Sequence, residues 1–319
     1  MVHPQEGHRN PRIVVLGSAN MDLMAIASRF PEPGETILGK GFQATPGGKG
    51  ANQAVAAARL GARTMFIGRV GKDAFGDALV HELQTNGVDI KDLAREDGVP
   101  TGIAHIQVDE AGQNKIIIAP GANAGCGALE LDRLLRVLPR TDALLLQMEL
   151  PAVVSLEAAR EAKEFGCSVI LDPAPASPLP DEEYPLLDVI LPNETEATIL
   201  TGVTVTGPAT AREAALRIQG RGVSIVVVKL GDQGAYYLGP TDEGHLPAMQ
   251  VEVVDSVGAG DAFSAAFAVA SAEGASLVEA VLWGNAAGAL AVTQRGAQRA
   301  MPHRRDLLNL LKSTPESGQ

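Results

Sequence analysis

The sequence predicts an α/β fold with a mainly parallel sheet covered by helices. Three observations carry that expectation. From residue 143 onward, short apolar runs alternate with longer helix-permissive segments, as strand–helix–strand units do. Apolar runs such as RIVVLG (12–17) and SIVVVK (224–229) lead straight into glycine turns. Glycine is 35 of 319 residues, above the usual share of about 7%. Many of these glycines fall just after an expected strand or just before an expected helix.

In chain order, residues 12–17 read as a buried strand. Segment 34–48 is rich in Gly and Pro and lacks helical periodicity. Residues 50–60 (GANQAVAAARL) are small, apolar and helix-permissive, with Gly61 as a stop. A strand is expected at 64–69 and a helix at 77–84, before Asn86-Gly87. Runs 101–108 and 115–119 flank DEAGQN and read as a hairpin. No helix accompanies it, which suggests a small sheet beside the main one. Further strands are expected at 143–148, 168–172, 188–192, 224–229, 234–238 and 250–254. Helices are expected at 153–165, 209–219, 258–272, 276–293 and 304–311, and residues 313–319 should fray.

Composition excludes several classes. Apolar residues make up 45% of the chain, which is a folding composition rather than a disordered one. The formal charge of −12 argues against a non-specific binder of nucleic acid or anionic membrane. A small polyanion stays possible, because backbone dipoles can hold one. Cys126 and Cys167 form no CxxC, so zinc and thioredoxin-type readings fail and two reduced thiols are expected. The first ten residues are polar and lack an apolar signal core. The Ala-rich stretch 259–272 carries Asp261 and is too short and polar to span a bilayer. A soluble, cytoplasmic protein is the expectation.

In α/β sheets, ligands sit beyond the carboxyl ends of the strands. Three glycine clusters stand at such places. Gly47-Gly48-Lys49-Gly50-Ala51-Asn52 opens a helix but is no P-loop, because Gly50 stands where Ser or Thr is needed. It is either a plain turn into a helix or a mouth of free N–H groups flanked by Lys49 and Asn52. Asp255-Ser256-Val257-Gly258-Ala259-Gly260-Asp261 is either a helix start capped by an acid or an anion hole beside a general base. Its G-x-G is no dinucleotide fingerprint, since Phe263 occupies the third glycine position. Leu230-Gly231-Asp232-Gln233-Gly234 is either a tight turn between strands or a nucleotide-phosphate contact. Polar groups also follow two other strands: Asn20 and Asp22, then Asn193, Glu194 and Glu196. Each could serve as a cap. Five such sites on one sheet edge suit a hydroxyl-rich small ligand together with a phosphate donor.

These residues carry a resemblance to the ribokinase-like (PfkB) carbohydrate kinase family. It spans about residues 12–311. It rests on GSANMD at Gly17, PGET at Pro33, GGKGANQAVAAARLGA at Gly47 and VGKDAFG at Val70. It continues through GANA at Gly121, LLLQMELP at Leu144, DPAPA at Asp172, PNETEA at Pro192 and LGDQGA at Leu230, and closes with DSVGAGDAF at Asp255 and AVTQRGAQ at Ala291.

The resemblance implies one three-layer α/β/α kinase domain over 1–319, with a small β lid formed by about 21–45 and 99–120. In the family the lids also form the dimer contact, so a homodimer is implied. The implied activity is ATP-dependent phosphorylation of the 5-hydroxyl of D-ribose to D-ribose 5-phosphate, with Mg²⁺ and a K⁺ activator. Asp261 matches the general base, and Gly258, Ala259 and Gly260 match the anion hole. Asn20, Asp22, Gly48, Lys49, Asn52 and Glu149 match sugar-binding positions. Asn193, Lys229, Gly231, Asp232, Gln233, Gly234, Gly260 and Asn285 match nucleotide positions, and Glu196 matches the acid that orders the Mg²⁺ environment. Asp255, Val257, Ala291, Gln294, Gly296 and Ala300 match the K⁺ loop, largely through carbonyls. Ala300 stands where relatives often carry Ser, which removes one oxygen, and residues 1–10 match nothing. Sibling kinases of deoxyribose, fructose or a nucleoside are alternatives, although 3% aromatic content offers little to stack a base. A non-catalytic sugar binder has no need of Asp261, and a dehydrogenase would need the full glycine fingerprint.

Overall fold

The structure, a computed structural model, describes residues 10–313. Strands β1 (Arg12–Leu16), β2 (Asn20–Ile26) and β3 (Gly41–Gly47) precede helix α1 (Lys49–Arg59). Then come β4 (Arg63–Gly71), α2 (Ala74–Thr85), β5 (Leu93–Glu96), β6 (Gly102–Val108) and β7 (Asn114–Ala119). Next are α3 (Ala128–Val137), β8 (Ala143–Gln147), α4 (Ala152–Glu164), β9 (Ser168–Asp172) and β10 (Val189–Ile190). They are followed by α5 (Glu194–Thr201), α6 (Pro208–Gln219), β11 (Ile225–Lys229), β12 (Ala235–Leu238) and β13 (Glu243–Leu246). Helices α7 (Ala259–Ala272), α8 (Leu277–Ala291), α9 (Ala297–Ala300) and α10 (Arg304–Ser313) complete the described residues.

The main sheet runs β13-β12-β11-β10-β9-β8-β1-β4-β5. It is parallel from β11 to β5, and β12 and β13 are added antiparallel. Alternate residues of a strand point to opposite faces. In β1, Ile13 and Val15 join a core with Ala54, Phe267 and Ala286, while Val14 and Leu16 join one with Leu134, Ala158 and Ala215. The sheet is thus sandwiched between α1, α7 and α8 on one face and α3, α4 and α6 on the other. Covering both faces explains why its strands read as unbroken apolar runs. This is the three-layer α/β/α arrangement the resemblance implies.

A second sheet runs β3-β2-β6-β7. The expected hairpin is β6 and β7, paired antiparallel from Ile103↔Ala119 to Val108↔Asn114. Strand β2 pairs with β6 in parallel and with β3 antiparallel, so the two implied lid segments form one sheet. Phe42, Ile116, Ile117 and Ile118 on this sheet are exposed.

One expected strand is absent. Residues 250–254 are irregular, with Val253 and Val254 exposed. The last strand is β13 instead, and the Val254 N–H donates to the Val292 carbonyl rather than to a neighbouring strand. The expected helix at 77–84 starts earlier, because Asp73 caps α2 by accepting from the Gly76 N–H at 2.8 Å. Strand β5 and helices α3 and α5 were not anticipated. Both cysteines are free and buried, and burial pushes each thiol up to about 12. No helix of the described residues is long and apolar enough to cross a membrane. Of the segments in the signal-core and fraying expectations, 1–10 and 313–319, only Asn10 and Ser313 are described, and Ser313 is the last residue of α10.

Candidate active site

The parallel strands bring their carboxyl ends to one edge. Moving along it from β1 and β8 through β9 to β10 and β11, one meets Ser18 and Asn20, then Glu149, Asp172, Asn193 and Lys229. The edge therefore has a β1/β8 side and a β10/β11 side, with Asp172 between them.

On the β1/β8 side, Glu149 Oε2 accepts from the Ser18 hydroxyl, from the Lys49 backbone N–H at 3.2 Å and from Asn20 Nδ2 at 3.4 Å. Asn20 is oriented in turn by Asn123, whose Nδ2 donates to Asn20 Oδ1 at 2.8 Å. Asp22 lies against the glycine turn before α1. A Cβ at Gly47 would come within 2.2 Å of its Oδ2. Gly48 adopts φ +88° and a Cβ there would lie 2.6 Å from the Asn20 backbone nitrogen. This turn must therefore be glycine for both conformation and space. Burial, with the charges of Glu149 and Asp261, pushes the Asp22 carboxyl up to about 7.

Asp261 sits in the first turn of α7 and is buried. Asn52 Nδ2 donates to its Oδ2 at 2.8 Å and Gln53 Nε2 to its Oδ1 at 3.2 Å. It is thus clasped by α1 and caps nothing. Burial raises its carboxyl above the ordinary range and Asp172 adds to this, while Lys49 and the two amide donors act against it. Burial opposes the charge on Lys49, but Asp261, Asp172, Glu149 and Glu196 outweigh it and hold the ammonium firmly protonated. Asn52 Oδ1 is buried with no protein partner. Such an acceptor needs a donor, and a ligand hydroxyl would supply one.

Helix α7 begins at Gly258 in the left-handed conformation, φ +81°. The Ala259 N–H already makes a weak turn bond to the Ser256 carbonyl at 3.3 Å. The other early N–H groups of the helix carry its positive end. Lys229 faces this turn: a Cβ at Gly260 would lie 3.5 Å from its Nζ. Its ammonium also donates to Asp172 Oδ1 at 3.0 Å.

Gly231, Asp232 and Gln233 form a short exposed 3-10 turn after β11. Gly234 is buried at φ +90°, and a Cβ there would come 2.1 Å from the Leu246 carbonyl. Asn285 on α8 donates to the carbonyls of Leu246 and Pro247, each at 3.3 Å, bracing the loop after β13. Asn193 and Glu196 form a reciprocal capping box at the start of α5. Burial first, and then Asp172, raise the Glu196 carboxyl, while Lys229 lowers it.

The loops around 255 and 296 are laced together. Asp255 accepts from the Val257 N–H at 3.1 Å and from the Gly296 N–H at 2.9 Å. Arg59 Nη1 donates to the carbonyls of Gln298, Arg299 and Met301, which flank Ala300. Ala291 and Ala300 are buried, whereas Gln294 is exposed.

Six polar residues of this edge were not singled out from the sequence: Ser18, Gln53, Asn123, Gln147, Asp172 and Ser264. The rule that led to Asn193 would have found Asp172, which ends its strand in the same way. Nothing local distinguishes Gln53 from any helix glutamine.

A profile of the pfkB family carbohydrate kinases matches residues 10–304. A ribokinase of Haemophilus influenzae is 39% identical over 94% of this chain and 98% of its own length. A deoxyribokinase of Salmonella typhimurium is 35% identical over 91% of this chain and 95% of its own. The structure of Arabidopsis thaliana ribokinase complexed with ribose and ATP superposes with a TM-score of 0.90 at 37% identity, covering 96% of this chain and all of that one. With these matches running through both sheets and every glycine cluster of the edge, the chain belongs to the pfkB family of carbohydrate kinases.

Proposed function

We infer that the chain transfers the γ-phosphoryl group of ATP to the 5-hydroxyl of D-ribose, giving D-ribose 5-phosphate and ADP. The carrying observation is the position of Asp261. It is buried within the first turn of α7, beside a cluster of polar side chains suited to a polyol (Asn20, Asp22, Lys49, Asn52 and Glu149).

The chemistry follows from this arrangement. A sugar hydroxyl is a weak nucleophile at neutral pH, so a placed carboxylate assists by accepting its proton. The freed oxygen bonds the γ-phosphorus as the bond to the β-phosphate oxygen breaks, and ADP leaves. Phosphoryl transfer needs positioning and charge stabilisation more than covalent chemistry. Gly258, Ala259 and Gly260 present the N-terminal end of α7 to the transferring group, without reorganising as charge develops. Gly48 and the turn it makes keep Asn20 close to Glu149 on the sugar side. Asn193, Lys229, Gly231, Asp232, Gln233, Gly234 and Asn285 serve the nucleotide side.

The donor set suits two cations. Mg²⁺ takes only one or two carboxylates and keeps several waters. Both Glu196 oxygens already accept from Asn193, at 2.8 and 3.0 Å, which fits contact through water. Bound there with ATP, Mg²⁺ would neutralise phosphate charge. The laced loops of Asp255, Val257, Ala291, Gln294, Gly296 and Ala300 offer mainly carbonyl oxygens, which fits K⁺. We assign 1–319 to one kinase domain in which the second sheet, within 21–45 and 99–120, acts as a lid that excludes water. Its exposed Phe42 and Ile116–Ile118 support a homodimer formed through the lids. Use of ATP and two unpaired thiols support a cytoplasmic setting.

An ADP-release assay over ribose, deoxyribose, fructose and adenosine tests the substrate. The highest kcat/KM is expected for ribose. A higher value for any of the others would overturn that choice.

A further inference from the structure

We propose that Gln53 is a positioning residue for this reaction: its side-chain amide sets the rotamer of Asp261 and ties that carboxylate to Asp172. The proposal rests on the functional reading above.

Gln53 is fully buried on α1, one residue after Asn52. Its Nε2 donates to Asp261 Oδ1 at 3.2 Å and to Asp172 Oδ2 at 3.0 Å. A side-chain amide has only two N–H bonds, so both are spent on carboxylates. The orientation is forced from behind, because Gln53 Oε1 accepts from Gln147 Nε2 at 2.6 Å. Gln147 closes β8 and is itself buried, with Oε1 lying where a Cβ on Gly17 would be 2.1 Å away. A flipped Gln53 amide would present oxygen to two carboxylates. Gln147 Nε2 thus holds the Gln53 amide from one side, and that amide holds the base from the other.

Two like charges sharing a buried site raise each other's proton affinity. The charged groups facing Asp261 are Lys49 on α1, Asp172 at the end of β9, and Asp22 on β2, with Lys229 at the end of β11 paired to Asp172. Without Gln53, Asp261 keeps only the Asn52 donor and the Lys49 charge against burial and Asp172. It would then hold its proton more tightly, and the base would ionise at a higher pH than in the parent.

Gln53→Met in the full chain removes both donors at similar volume. The test measures kcat and KM for D-ribose across pH at saturating ATP and Mg²⁺, ribose affinity by calorimetry, and thermal unfolding. The acid limb of kcat should move up by about one pH unit, so that kcat falls by about tenfold at pH values below the parent's limb and recovers in base. Ribose affinity should stay within about threefold, since Gln53 acts through Asp261. Gln147→Met should shift the limb in the same direction by less. A kcat lowered equally at all pH values, or unchanged, would overturn the proposal. If Gln53→Met does not fold, the Gln147→Met profile decides by the same criteria. A parent enzyme without ribose-dependent ADP release overturns the functional reading itself, whereas an active parent with an unmoved limb overturns only the role of Gln53.

Discussion

The Lys229 ammonium lies 3.0 Å from Asp172 Oδ1, and the two side chains are only 12% and 2% exposed. The pair bridges β11 and β9 beneath the first turn of α7. Asp172 Oδ2 is also satisfied, by Gln53 and by the Ser264 hydroxyl at 2.9 Å. Removing one partner of such a buried pair leaves an uncompensated charge. Lys229→Met alone should lose about 3–5 kcal/mol of stability, and adding Asp172→Asn should restore much of it. Urea unfolding of the two single variants and the double variant measures this, and additive losses would contradict it.

Asp261→Asn keeps the shape but cannot accept the hydroxyl proton, and its NH2 group cannot accept from Asn52 or Gln53 as a carboxylate oxygen does. Turnover should fall by at least about 10²-fold while ribose binding persists. Calorimetry beside the ADP-release assay separates the two. Retained turnover would remove Asp261 from the mechanism.

Two glycines should fail in different ways. Gly48 holds φ +88° and its Cβ would strike the Asn20 backbone, so Gly48→Ala should cost about 1–3 kcal/mol and weaken ribose binding. A Cβ at Gly260 meets only Lys229 Nζ, at 3.5 Å. Gly260→Ala should leave stability unchanged or raise it by about 0.5–1 kcal/mol, while kcat falls by at least about tenfold. Unfolding curves and kinetics on both variants check the contrast, which a common loss of stability would refute.

Asp22 makes stability depend on pH. Its carboxyl stands at about 7 when folded, against an ordinary 3.8. Between these values the folded state binds more protons than the unfolded state, so stability falls as pH rises through the window. Asp22→Asn should therefore raise Tm over the parent at about pH 8 and give no gain near about pH 4. Thermal unfolding at both values suffices, and an equal gain at each would argue against this assignment.

The cation loops give a further expectation. K⁺ should accelerate turnover over tetramethylammonium even with Ala300 in place of Ser, because the proposed donors are mostly carbonyls. Ala300→Ser should lower the K⁺ concentration for half-activation. Equal rates in the two salts would contradict the K⁺ site.

Much of the fold was legible because its signals are local. The runs at 12–17 and 224–229 are apolar on both faces, and a strand buried between two helix layers must be so. The hairpin of β6 and β7 announced itself by the turn residues between two β-rich runs. Strand 250–254 failed because an apolar run does not say whether a neighbouring strand is there to pair with it. Strand β13 ends at Leu246 and closes that edge, so Val253 and Val254 stay outside the sheet. Helix α5 was missed because it is short and its start looks like any polar turn until Asn193 and Glu196 satisfy each other.

The sequence by itself determined which residues stand at strand ends and which turns must be glycine. Those properties belong to neighbours along the chain. Only the tertiary structure decided which of these residues meet. Asn52 and Gln53 reach Asp261 across separations of 209 and 208 residues. Lys229, expected to serve the nucleotide alone, is paired with Asp172, to which no role had been given. Such contacts arise from how α1 and α7 pack on one sheet face. Close packing fixes them to a fraction of an ångström, and no local pattern encodes that. The glycine excess is where the two levels meet, because a missing side chain is visible in the sequence and what fills its place is visible only in the fold.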